Sequence, residues 1–461
     1  MIKVVAFAIT EGRVAIHCHA GLGRTGVLIA CYLVYSLRVP GNDAIKYVRL
    51  RRPGSVQTRG QITCVRHFAQ FILPQSITYY LKESKEKYMT EFTLQRFLKR
   101  QRIILHGYEE RNFKYLPKII HVICERILQL CGCHTNQFIS SSTSITSEFL
   151  CSKLNGNIHR HESIYSISST LSDNTPSSPD LIKIPSCNSS YACSSLPVSP
   201  SPSECEDPAD SSQFSDSYSD LSTLDGDEIR EEIDEQLLSE NKCFQELQTQ
   251  KSFEENLSPK EIYGISDVVT ALLVDYENID EQSKQIILQY EMEINSSQLG
   301  WARLKAETNM TILTVLLFEW IENLKLPVLG KENLETIVIH YKQPETCFKK
   351  IILEDAYLIE YLINFLIKIR PMPKEDQDDV LMRIVSSLTQ QTIIINGKAL
   401  PSDKGFRKLR EGTLKCTTEF FKVLLSMIEA HHNHPEITSS PTCDNSTKDF
   451  DCSNVEQCGF H

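Results

Sequence analysis

Three residues in the stretch RVAIHCHAGLGRTGVLIACYLV, Arg13 to Val34, could do chemistry together: Cys18 and, beyond an interval of five residues, Arg24 and Thr25. A cysteine that gives up its proton near neutral pH is a strong nucleophile. An arginine offers a planar fork of donors that holds two phosphoryl oxygens at once, which lysine does not. Gly21 and Gly23 permit a tight curve that turns the backbone N–H groups of His19, Ala20, Gly21, Leu22, Gly23 and Arg24 inward. The result is a phosphate cradle with a nucleophile at its floor. Thr25 is placed to hydrogen-bond the thiolate and help it leave when a phosphocysteine breaks down. His17, just before the nucleophile, is placed to order the loop rather than to carry protons.

These roles need particular elements on either side. Arg13 to His17 reads as a buried strand, and Arg24 or Thr25 opens a helix running to about Leu37. The loop then lies at a helix N-terminus, where unpaired N–H groups and the positive dipole end favour an anion and lower a thiol pKa.

His-Cys, five residues, Arg, then Ser or Thr is the signature of the cysteine-dependent protein tyrosine and dual-specificity phosphatases, and the chain resembles that family at these residues. The resemblance continues through AIKYVRLRRPGSVQTRGQ, which is similar to the segment that follows the signature helix in the cell-cycle dual-specificity branch. It implies hydrolysis of a phosphomonoester through a phosphocysteine, with Gln61 positioning the attacking water and Arg52 and Arg59 lining the phosphate entrance. It implies a phosphorylated protein as substrate, no metal or organic cofactor, and a cytoplasmic setting that extends to the nucleus, centrosome or cilium. Family members also carry a general-acid aspartate and most of a parallel sheet upstream of the signature. Here Glu11 is the only carboxylate before Cys18, at the wrong end of the expected strand, so the reading is of an N-terminally shortened domain with weakened catalysis.

The rest of the 461 residues divides by composition. The expected architecture is mostly α: the C-terminal remnant of an α/β cysteine-phosphatase domain with a helical extension (residues 1–130), a disordered Ser-rich acidic linker (135–250), a separate all-α interaction domain (259–430) and a disordered tail (431–461). The linker is too poor in apolar residues to offset chain entropy. The back repeats helical apolar spacing, as in TILTVLLFEWIENL, where Ile312, Val315, Leu316, Trp320 and Leu324 fall on one stripe. Met1 to His134 holds 21 Lys and Arg against 8 Asp and Glu, while the whole chain carries a formal charge of −11, so a basic front is joined to an acidic back. A basic front suits an anionic ligand.

Sixteen scattered cysteines read as reduced thiols, and CGCH, Cys131 to His134, has metal-ligand types at a spacing that fits no structural zinc pattern. The longest apolar run, Val27 to Leu37, is shorter than the roughly 18 residues that span a bilayer. The expected partners are therefore a phosphorylated protein at the front and a protein docked on the helical back, with no nucleic acid and no membrane. A second reading is a phosphate-binding or scaffolding protein without turnover. A third concerns the back alone: ILTVLLFEWIENLKLPVLGKENL resembles the helix and Leu-Pro turn of Rho GTPase-activating domains, with no arginine-finger motif to match.

Overall fold

The apolar run after Gly23 folds as helix α1, Gly23–Leu37, and stops where Arg38 turns into the left-handed region (φ 60°) with its N–H on the Val34 carbonyl. Pro40 prevents continuation. Helix α2, Gly41–Arg51, and helix α3, Arg59–Ile72, pack against α1 around Ala30, Val34, Ile45, Val48 and Val65. Helix α3 begins with a reciprocal cap: Thr58 Oγ1 accepts from the Gln61 N–H, and Gln61 Oε1 accepts from the Thr58 N–H. A 3₁₀ turn, Leu73–Ser76, closes this bundle.

The structure, a computed structural model, describes residues 14–81, 92–133, 146, 238–255, 263–402 and 404–433. The expectation of a disordered linker and tail falls almost wholly outside them, as does Glu11.

Two expectations are corrected. Val14–Cys18 carry neither helix nor strand, although Val14 and Ile16 are half-buried and Ala15 and His17 exposed. A strand exists only through a ladder, and no described residue pairs with this segment. Lys242–Glu255, which begins within the stretch read as linker, is helix α7, because Cys243 is fully buried in the front core and Leu247 packs on it. Asn241 adds a hydrogen bond from its amide to the Asp43 carbonyl.

Between them lie α4 (Leu94–Ile104), α5 (Tyr108–Asn112) and α6 (Lys118–Leu130). Residues from Tyr79 to Cys131 share one hydrophobic core with the helices from Ile265 onward, so the structure draws the boundary between the two cores near Ile77 and not at residue 130. The centre of the large core is helix α11, Met310–Glu322. It follows α8 (Ile265–Leu272), α9 (Glu281–Ser296) and α10 (Gln298–Ala306). The stripe expected on α11 is buried, but so are Leu313, Leu317, Phe318 and Ile321 on its other faces, as befits a helix enclosed by neighbours. Trp320 Nε1 donates to the Thr78 carbonyl at 2.9 Å, and Tyr79 Oη donates to the Leu316 carbonyl at 3.1 Å, fastening the chain after the front to this helix.

Helices α12 (Lys331–His340), α13 (Pro344–Phe348), α14 (Leu353–Lys368), α15 (Lys374–Thr389) and α16 (Glu411–Asn433) complete the back. It is not wholly α: β1 (Ile393–Ile395) and β2 (Lys398–Leu400) pair antiparallel, with Ile393 opposite Leu400. Asn396 (φ 50°) and Gly397 (φ 78°) make the two-residue turn, for which Asn-Gly is the favoured sequence. Among the described residues no helix is long and apolar enough to cross a membrane.

Candidate active site

Cys18 sits half-exposed at the mouth of α1, and the Gly21 N–H donates to its Sγ at 3.2 Å. The thiol pKa is lowered to about 7. The hydroxyl and N–H of Thr25 are the leading causes; burial opposes them, and the Gly21 N–H and the positive charge of Arg24 add smaller lowering effects. The Thr25 hydroxyl is buried and completes no regular hydrogen bond with the neutral thiol, so its proton is free to be donated once the thiolate forms. Arg24 is exposed and, among the described residues, makes no hydrogen bond or ion pair. A cation without a partner beside an acidic thiol is what an incoming phosphate requires.

Below the loop lies the Arg52-Pro53-Gly54-Ser55-Val56 turn. The Val56 N–H donates to the Leu22 carbonyl at 3.3 Å, and a Cβ at Gly26 would stand 3.0 Å from the Val56 nitrogen. Glycine at 26 is therefore what lets α1 rest on the turn. Arg49 braces the turn by donating from Nη2 to the Val56 carbonyl (2.8 Å) and from Nε to the Ser55 carbonyl (3.2 Å). Sequence reading missed both Gly26 and Arg49. The signal available was Gly26 two residues past Arg24 and an arginine facing the proline turn.

Arg52 donates from Nη2 to the Gly21 carbonyl at 2.9 Å, where Gly21 has φ +76°. It holds the outer side of the loop by its backbone. Arg59 is exposed at the first residue of α3. Gln61 reaches the loop: its Nε2 lies 2.7 Å from where a Cβ of Gly23 would stand, while its Oε1 accepts from the Gln57 N–H at 2.7 Å. The carbonyl end is thus spent on the helix cap, and the amide nitrogen faces the phosphate loop. Arg24 and Gln61 share an open groove with Val27, Leu28, Thr58, Gly60 and Cys64, and among the described residues no carboxylate lines it. His19 and Ala20 are exposed on the loop, and His17 is exposed with no hydrogen bond among the described residues.

Residues 1–71 match the profile of the dual specificity phosphatase catalytic domain. The front of the chain is thus similar to dual specificity phosphatase catalytic domains. A zebrafish (Danio rerio) protein tyrosine phosphatase domain-containing protein 1 is 54% identical over 130 residues, 28% of this chain and 18% of that protein. The mouse (Mus musculus) protein of the same name is also 54% identical over 130 residues, 28% of this chain and 17% of its own length. The zebrafish dual specificity protein phosphatase CDC14AB is 55% identical over 47 residues, 10% of this chain and 8% of that protein. The chain therefore matches less than a fifth of the length of these relatives. No solved structure matches it.

Gly21, Thr25 and Arg24 all act on the Cys18 thiol, so these residues lie together at one loop. The other cluster noted in the sequence does not join it. Cys131 Sγ donates to the Leu128 carbonyl and Cys133 Sγ to the Arg370 carbonyl, and His134 lies outside the described residues. Among the described residues no group of three His, Cys, Asp or Glu could hold a metal.

Proposed function

We propose that the chain hydrolyses phosphomonoesters of phosphorylated proteins through a phosphocysteine on Cys18. The observation that carries this reading is the thiol itself, lowered to about 7 by Thr25, the Gly21 N–H and Arg24 at the N-terminus of α1. Cys18 attacks phosphorus in line and the ester oxygen leaves with the bonding pair. Arg24 and the loop N–H groups hold the equatorial oxygens, and the thiophosphate is then cleaved by water placed from the Gln61 side, regenerating the thiolate and inorganic phosphate. The free amide nitrogen of Gln61 beside Gly23 supports that placement.

Turnover is weakened in this reading, because among the described residues no carboxylate lines the groove beside the loop to protonate the leaving oxygen. Loss of a general acid costs on the order of 10²- to 10⁴-fold, more for an alkoxide than for a phenolate. The same observation favours a second reading, a phosphate-binding protein that holds a phosphorylated partner without turnover, with the helical back docking a further protein.

The test is hydrolysis of an aryl phosphate with a good leaving group against an alkyl phosphate, with Cys18→Ser as control. Phosphatase action predicts turnover of the aryl ester alone and its abolition in Cys18→Ser, with phosphate binding retained. Equal turnover in the Cys18→Ser protein would remove the mechanism. Binding with no turnover of either ester selects the second reading.

A further inference from the structure

Helix α1 has the phosphate loop at one end and Arg38 at the other. Arg38 lines a partly enclosed cavity of about 50 Å³ between the front and the helical back, together with Thr78, Gln101, Lys118, Gln298 and Trp301. Its Nη1 is sealed from solvent and has no hydrogen-bond partner. The guanidinium rests 5.0 Å from the Tyr35 ring centroid. The charged groups around it are Lys118, Lys305 and Glu109; Glu109 is taken by Lys118 Nζ at 2.6 Å, leaving an excess of positive charge. Lys118 opens α6 and Gln298 opens α10, so two helix N-termini meet at the same cavity. Each brings a positive dipole end.

We propose that this cavity binds a tetrahedral oxyanion, with Arg38 as its main ligand. An unpaired buried guanidinium nitrogen calls for a water or an ion. Two cations and two converging helix N-termini select the ion. The volume gives room for about three or four water molecules, close to the four oxygens of one such anion and too little for an esterified headgroup or nucleotide.

The experiment uses the whole chain with Arg24→Ala, which removes binding by the phosphate loop, and follows Tm against inorganic phosphate or sulfate at constant ionic strength. A saturable rise is expected in Arg24→Ala. It should weaken at least about tenfold when Arg38→Met is added and persist in part with Arg38→Lys. Phenyl phosphate should give no rise in Arg24→Ala, which separates a free anion from an esterified one. Complete loss of the rise in Arg24→Ala alone, or an undiminished rise with Arg38→Met, overturns the proposal. Should Arg38→Met not fold, Lys118→Met in the same background must weaken the rise, and an unchanged curve there overturns it equally.

Discussion

The phosphate loop and the core around Trp320 treat their arginines in opposite ways. In the core, Arg383 Nη1 meets Glu322 Oε1 at 2.8 Å, Nη2 meets Tyr276 Oη at 2.9 Å, and Ser387 Oγ donates to the same Glu322 oxygen at 2.7 Å. At the loop, Arg24 is exposed without a partner and the Thr25 hydroxyl is buried without one. Burying charge is costly unless it is paired, so the core's pair is spent on holding helices together. Groups left unpaired around a curved loop are available to a ligand.

The largest effect that could break this contrast is expected in the core. Arg383→Met leaves Glu322 buried without its cation and should lower unfolding free energy by about 3–5 kcal/mol in urea titration. In the native baseline the pH dependence of Cys18 alkylation should stay where it is. A loss below about 1 kcal/mol, or a moved alkylation profile, would mean that the pair is not structural or that the two regions are coupled.

The loop was legible because its chemistry is local: Cys18, Gly21, Gly23, Arg24 and Thr25 lie within eight consecutive residues whose spacing encodes the curve. Most of the back was legible as helix for the same reason. What sequence periodicity cannot carry is partnership across distance. The apolar run Val14–Ile16 looks like a strand whether or not another strand runs beside it. The stripe on α11 gave one buried face, whereas burial all round depends on Tyr79, Phe92 and Phe97 arriving from a segment that reads as part of the front. Helix α7 was hidden by its composition, since its place rests on Cys243 and Leu247 meeting a core some two hundred residues earlier in the chain. Asn396-Gly397 between Ile395 and Lys398 was a readable hairpin signal, outweighed by the helical pattern around it.

A smaller effect sharpens the loop side of the contrast. Thr25→Ala removes the leading cause of the lowered Cys18 pKa. The midpoint of Cys18 alkylation against pH should rise from about 7 by about one unit, toward the value of an ordinary thiol. Melting temperature should change little, because the hydroxyl has no partner to lose. An unmoved midpoint with a lowered Tm would make Thr25 a packing residue only.

A last effect, confined to a pH window, concerns a carboxyl of the core. Asp355, in the first turn of α14, is buried with no cation beside it; the Gln95 side-chain amide donates to its Oδ1 at 2.9 Å. Burial raises its pKa to about 7, opposed by a hydrogen bond from Asn333 and, less, by that from Gln95, while the neighbouring Glu354 adds to the rise. A carboxyl whose folded pKa lies above its unfolded value near 4 binds its proton more tightly in the native state. Its contribution is therefore fully present below about pH 4 and is lost as pH rises through about 7. Asp355→Asn removes that loss and should stabilise the chain by roughly 1–3 kcal/mol at pH 8, with no gain at pH 4. Because Gln95 belongs to α4 and Asp355 to α14, the gain should appear in the transition that unfolds both segments together. Equal effects at the two pH values would show that Asp355 is ionised and answered in the native state.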